Sequence, residues 1–385
     1  MRVSGISPFS SEYLNLEIED STIIDRQVRS DVPGRGDFIS PGLVDIQVNG
    51  YKGVDYSSEN LTVVQVSEMV NYLAAAGITQ HFPTIITSSQ KRITSNLEII
   101  RHARMGDRLV RIAIPGIHIE GPYISGLDGP RGTHDSAYIR DPDFNEFREW
   151  QEASGNLISI VTVAPERAGA IKFIEEVSST GVVVAIGHTS ATPDLISKAI
   201  AAGARLSTHL GNGSAALIPR LRNFLWPQLA SDELYASIIA DGDHLPAEVV
   251  KIYKRVKDLE KLILISDISP LGGFPKGVYH WGNVEAAVFD DGHLGLPGTE
   301  ILAGAAHQLD WDIPHFMKFT GVHLGNALKL CTENPCKLLG LEHTSCELKV
   351  GELANLIVFS HEKNCDKLRI TRTLIGGRTV FEMDN

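Results

Sequence analysis

The chain has 385 residues, 43% of them hydrophobic, and a formal net charge of -12. That is enough apolar material for a large core, either one big barrel or two ordinary domains, and the acidic balance without any Lys/Arg-rich run argues against a nucleic-acid surface. Nothing at the N-terminus resembles a signal peptide and no apolar segment approaches the roughly 20 residues needed to span a bilayer, so a cytoplasmic protein with no membrane partner is expected.

Residues 12–28 alternate apolar and polar at Leu14, Leu16 and Ile18, then Ile23-Ile24, which is a strand period. The far end matches it, with a strand over Leu353–Phe359 and a Gly376-Gly377 hairpin within Thr373–Phe381. Segments this short need partners, so residues 1–40 and 343–385 are expected to share one small β domain. Between them, residues 41–342 alternate strand and helix signals. Leu43–Val48 opens the series, followed by a helix around Val63–Ala75, a strand over Ile78–Ile86, a helix around Ser89–Arg104 and a strand over Arg111–Glu120. Further apolar runs end at Val163, Ile186, Leu206, Ala240 and Ile265. Eight strands with helices between them predict an α/β fold, a (β/α)8 TIM barrel with chemistry at the C-terminal strand ends; the doubly wound alternative lacks a Gly-x-Gly-x-x-Gly turn. The four cysteines, Cys331, Cys336, Cys346 and Cys365, lack Cys-x-x-Cys spacing and read as structural thiols.

The stretch Gly187–Asn212 organises the site. His188 follows the run Val182–Ile186 and His209 follows Ala204–Leu206, while Thr192, Pro193 and Gly203 start and stop a helix between them. Adjacent parallel strands end on one side of a sheet, so the two imidazoles converge, and a ligand pair is favoured over a packed core histidine. Glu120, at the end of Gly116-Ile117-His118-Ile119-Glu120-Gly121-Pro122, is a plausible third ligand. His118 shares its face one layer deeper, where a core role competes. Asp267 closes Leu262-Ile263-Leu264-Ile265-Ser266-Asp267, where a metal hydrolase places a general base; a further ligand or a turn cap is the alternative. His244, after strand 7, and His134, in the loop Pro130–Asp135, are candidates for substrate contact, a solvated loop histidine being the rival for His134.

Together these residues resemble the amidohydrolase superfamily, in its branch of amino-sugar-phosphate deacetylases, over nearly the whole chain. The carriers are Pro41–Gly50, His118–Pro122, Arg131–His134, Gly187–Thr189, Thr208–Leu210, Ala240–His244, Ser266-Asp267 and Gly351–Leu356. The resemblance implies a β/α barrel flanked by a small β-sandwich built from both termini. It further implies hydrolysis of the acetamide of N-acetylglucosamine 6-phosphate to glucosamine 6-phosphate and acetate. Glu120, His188 and His209 would ligate one divalent metal, with zinc expected, and Asp267 would activate the water. His134, Asn212, Gly213, His244 and the phosphate-binding Arg220 would contact the substrate, Arg220 reaching across a homodimer interface. Gln47 and Asn49 stand where many relatives carry His-x-His, which favours a mononuclear site. The loop His209-Leu210-Gly211-Asn212-Gly213-Ser214 departs from the usual pattern, leaving a related sugar phosphate, such as N-acetylgalactosamine 6-phosphate, or another N-acyl compound as the rival substrate. A dinuclear, dihydroorotase-like enzyme would want a Lys within Ile158–Val163, which has none. A non-catalytic scaffold is the reading from another class.

Overall fold

The computed structural model describes residues 1–29, 37–281, 284–341, 344–362 and 365–384. Eight parallel strands pair in sequence order: β1 (Leu43–Val48), β2 (Ile78–Ile86), β3 (Ile117–Glu120), β4 (Ile158–Val163), β5 (Val183–Ile186), β6 (Ala204–Ser207), β7 (Tyr235–Ile238) and β8 (Leu262–Leu264). Hydrophobic runs make sense here because helices cover the outer face and side chains fill the inner one. An inner cluster including Val44, Ile46, Phe82, Ile160, Leu206 and Ile263 fills the lower barrel. The larger cluster lies between strands and helices.

The barrel closes at the β1/β8 seam with a parallel bridge between Val48 and Ile268. Asp267 N donates to Gln47 O and Asn49 N to Ile268 O, each over 3.1 Å. Asp45, fully buried, spans this seam by accepting from Gln47 N at 3.2 Å, Ser266 N at 3.3 Å and the Ser266 hydroxyl. The register between β1 and β2 shifts between Asp45 and Val48. Val44 before the shift and Ile46 within it belong to the inner cluster, whereas Gln47 within it and Asn49 beyond it reach the barrel mouth. Such a bulge changes which residues face inward.

Helix boundaries follow their caps. Thr62 and Gln65 form a capping box, Ser89 caps Gln90–Gly106, and Thr192 with Pro193 starts Pro193–Ala201. The expected strand over Arg111–Glu120 is corrected at its start. Asp107 accepts from Leu109 N at 2.7 Å and caps a short helix, Arg108–Ala113, so the strand begins only at Ile117. A cap and the burial of Val110 and Ala113 outweigh the β-branched composition there. An unforeseen three-stranded antiparallel sheet follows β8: Gly277–Trp281, Val284–Val288 and Leu294–Gly295.

The termini form one seven-stranded sheet in the order Arg378–Glu382, Arg369–Ile375, Leu356–Ser360, Phe38–Pro41, Arg2–Ile6, Tyr13–Glu19, Thr22–Arg29. Leu16 and Ile23 from one end of that order share a core cluster with Leu356 and Leu374 from the other. The sheet therefore curls over its own core, giving the two-layered small domain expected. Gly376 and Gly377 make its hairpin turn, both at positive φ. The expected 342/343 boundary lies outside the described residues. Cys331, Cys336 and Cys346 are buried free thiols, while Cys365 is exposed. Among the described residues no helix is long and apolar enough to cross a membrane.

Candidate active site

Four residues just past the ends of barrel strands, or at them, converge. Glu120 ends β3, His188 and His209 lie two residues past β5 and β6, and Asp267 lies three past β8. His188, His209 and Asp267 all adopt left-handed backbone, with φ of 48°, 30° and 52°. Side chains other than glycine avoid that region, and such strain concentrates at functional sites. Here it turns each side chain from the strand direction over the barrel mouth.

Glu120 Oε1 lies 2.9 Å from His209 Nε2 and 3.2 Å from His188 Nε2, and the two nitrogens are 3.1 Å apart. All three side chains are at least nine-tenths buried. On its other side His188 Nδ1 lies 2.8 Å from the Pro130 carbonyl, which can only accept. Nδ1 therefore carries the hydrogen, and in the neutral ring Nε2 presents a lone pair to Glu120 and His209. Lone pairs of a carboxylate and an imidazole facing each other this closely fit a bound cation. The donor set, two imidazole nitrogens and one carboxylate oxygen with an open cavity beyond, suits zinc at a catalytic site.

His134 also approaches, within 4.8 Å of Glu120 and His188. Its Nδ1 lies 2.8 Å from the Thr87 hydroxyl and accepts from Thr87 N at 3.4 Å. A backbone N–H only donates, so the hydrogen of neutral His134 is on Nε2, which makes it a donor to the cavity rather than a ligand. Burial pushes His134 down to about 3, so it stays neutral.

Asp267 is held by amides in the His-x-His positions. Its Oδ1 accepts from Gln47 Nε2 at 3.0 Å and Asn49 Nδ2 at 2.7 Å, and Gln47 Nε2 also reaches Glu120 Oε1 at 2.9 Å. Sequence reasoning read Gln47 and Asn49 only as lost ligands; their donor role needs the bulge in β1. Burial and the charge of Glu120 push the Asp267 carboxyl up to about 6, against the opposing pull of His209 and His244. His118 sits beneath, bonded to Thr162 Oγ1 at 2.8 Å, in the deeper position expected.

A cavity of 660 Å³ opens over this cluster and is lined by Asn49, His134, Asn212, Gly213, His244 and Asp267 among others. Among the described residues Asn212 Nδ2, buried there, has no partner. Gly213 packs on His188; a Cβ would come within 2.7 Å of Nδ1. Burial alone would lower His244, but the charge of Asp241 and its 2.7 Å hydrogen bond raise it. Trp281, Ile301 and Leu302 from the inserted sheet and the loop after it also line the cavity. Arg220 does not: it lies in the exposed segment 216–222.

The amidohydrolase family matches residues 38–380. The chain is 31% identical to N-acetylglucosamine-6-phosphate deacetylase of Rattus norvegicus, over 96% of this chain and 88% of the relative. It is 30% identical to the enzyme of that name from Bacillus subtilis, over 89% of this chain and 84% of the relative. The crystal structure of the Pasteurella multocida deacetylase superposes with a TM-score of 0.85 at 25% identity, covering 97% of both chains. A Mycobacterium smegmatis deacetylase, as an aspartate-to-alanine variant in complex with N-acetyl-D-glucosamine 6-phosphate, gives 0.83 at 27% identity, covering 96% of this chain and 94% of that one. The barrel, the convergent strand-end residues and these likenesses agree: the chain belongs to the amidohydrolase family, as a hydrolase of carbon–nitrogen bonds.

Proposed function

We propose that the protein hydrolyses the acetamide of N-acetylglucosamine 6-phosphate, releasing acetate and glucosamine 6-phosphate. The convergence of Glu120, His188 and His209 on one point beside an amide-anchored Asp267 carries this reading. One divalent cation, zinc by the nature of the donors, would be held by Glu120, His188 and His209. When bound it lowers the pKa of a water and polarises the scissile carbonyl. Asp267 accepts the proton of the attacking water and returns it to the nitrogen as the C–N bond breaks. Gln47 and Asn49 fix the carboxylate, and burial raises its pKa. His134 Nε2–H, the unpartnered Asn212 Nδ2 and the Asp241-supported His244 are the polar groups offered to the sugar phosphate. Gly213 holds the loop close to His188. Arg220 is assigned to the phosphate of the neighbouring chain in a homodimer.

The glycines at 211 and 213 reshape the loop that faces the sugar, so the experiment is a panel. Acetate release is measured from N-acetylglucosamine 6-phosphate, its galacto epimer and the unphosphorylated sugars, with zinc-loaded and chelated protein. The gluco 6-phosphate should give the highest kcat/KM, and chelation should abolish it. Preference for another acyl sugar, or full activity in chelated protein, would overturn the reading.

A further inference from the structure

Asn49 is pinned at both its backbone groups and at one end of its side chain. Its N–H donates to Ile268 O at 3.1 Å and its carbonyl accepts from Tyr56 N at 3.0 Å. Nδ2 lies 2.7 Å from Asp267 Oδ1 and 3.4 Å from Asp267 O. Exchanging the amide nitrogen and oxygen would set an acceptor against both of those oxygens, so the orientation is fixed by chemistry. Oδ1 is then left buried without a partner among the described residues, on a residue only 5% exposed that lines the cavity. A buried acceptor left unpaired is destabilising, and such groups in native proteins call for an explanation. Here the explanation lies in the substrate.

Both amide hydrogens from Gln47 and Asn49 fall on Asp267 Oδ1. Among the described residues no side chain donates to Oδ2, which leaves that oxygen for proton transfer. The scissile nitrogen must come within hydrogen-bond reach of it to receive the proton. Asn49 hydrogen-bonds the same carboxylate and lines the same cavity. We infer that Asn49 Oδ1 accepts the N–H of the scissile acetamide, making Asn49 a catalytic residue that recognises the amide itself. The step balances simply: the water oxygen bonds to the carbonyl carbon, its proton passes through Asp267 to nitrogen, and the C–N electron pair leaves with nitrogen. Holding the original N–H on Asn49 leaves the lone pair that develops on nitrogen facing the proton on Asp267. The contact selects acetamides over acetate esters, whose leaving oxygen carries no hydrogen for Asn49.

This inference rests on the proposed reaction, and the test separates the two. For wild type and Asn49→Ala, kcat/KM is measured on the acetamide and on the matching 2-O-acetyl ester of glucose 6-phosphate. A lost contact to the attacking water slows both substrates alike, whereas misplacement of Asp267 also weighs on the amide, whose nitrogen must be protonated to leave, so the ratio is read together with a binding pair in which no proton is transferred. Loss of the N–H acceptor slows the amide further, so the amide-to-ester ratio should fall by about five- to tenfold, the worth of one neutral hydrogen bond. Both rates come from one preparation, so inactive protein cancels in the ratio. Wild type and Asn49→Ala are both also tested by calorimetry with a phosphonamidate and the corresponding phosphonate ester, which differ only in N–H against O. Wild type should prefer the phosphonamidate and Asn49→Ala should lose that preference. An unchanged ratio or an unchanged preference overturns the inference. Wild type that leaves the acetamide intact overturns the proposed reaction instead, and the calorimetric pair still reads the contact.

Discussion

One methyl group at position 213 should be enough to disturb the proposed metal site. Gly213 has φ of 55°, and its Cβ would meet His188 at 2.7 Å on Nδ1 and 3.0 Å on Cε1, where the ring is already bonded to the Pro130 carbonyl. Groups that orient a metal-ligating imidazole typically govern affinity by 10- to 100-fold. Gly213→Ala should therefore weaken zinc binding at least about tenfold, measured against a chromophoric chelator; wild-type affinity would show that the loop can move aside at no cost to His188. Asp267→Asn tests the other side of the cluster. An amide cannot take the water's proton, so turnover should fall by at least ~10²-fold while the metal stays bound. Near-normal turnover with metal content confirmed would move the base elsewhere, first to His134 or His244. Glu120, His188, His209 and Asp267 were legible because each follows an apolar run. Thr87, Pro130 and Asp241, which hold His134, His188 and His244, give no such signal, since their roles exist only through contacts between loops distant in sequence.

The strands and helices read differently according to what buries them. Parallel barrel strands are covered on both faces, so their uniform apolar runs stood out and all eight were found. The helix Arg108–Ala113 was taken into the following strand because Val110, Ile112 and Ala113 continue the apolar composition and only the Asp107 cap marks the break. The inserted sheet went unread because its strands span five, five and two residues and the first alternates between exposed and half-buried positions. Least legible of all was the β1/β8 seam, where Asp45 substitutes for regular pairing. Burial pushes the Asp45 carboxyl up to about 7 from 3.8, against the hydrogen bonds of Ser266 and Gln47. A folded value above the unfolded one means that the folded protein keeps a proton the unfolded chain loses. The stability this group contributes is complete below about pH 4 and is lost as pH rises through about 7. Asp45→Asn carries no such proton. Wild type should accordingly lose thermal stability relative to Asp45→Asn between these limits, read from melting temperatures across that range; a difference independent of pH would rule out titration at the seam.

At the scale of the whole molecule, the charge distribution poses a problem that a single chain does not solve. The net charge is -12. Asp128, Asp243 and Glu300 line the cavity, and among the described residues no Lys or Arg does. The nearby Arg131 is taken up by Asp128 and by the His134 carbonyl, the latter at 3.1 Å. A guanidinium from a second copy would give a phosphate dianion in such a mouth paired charge-assisted hydrogen bonds. Arg220 sits in an exposed segment with Leu217, 91% accessible, and Leu221, 72% accessible, an apolar surface suited to burial against another copy. In a twofold dimer each chain lends the same residue to its partner. Arg220→Ala should then raise KM for the 6-phosphate while sparing metal content and kcat, because the contact is made equally in ground and transition states. Mixing this variant with Asp267→Asn by co-refolding creates dimers in which one site combines the intact Asp267 of one chain with the intact Arg220 of the other. At substrate levels where each parent is nearly silent, activity should recover in the mixture. If it stays at the parental average although mixed dimers are shown to form, Arg220 serves its own chain or does not bind phosphate, and the acidic cavity then points to a substrate without the phosphate group.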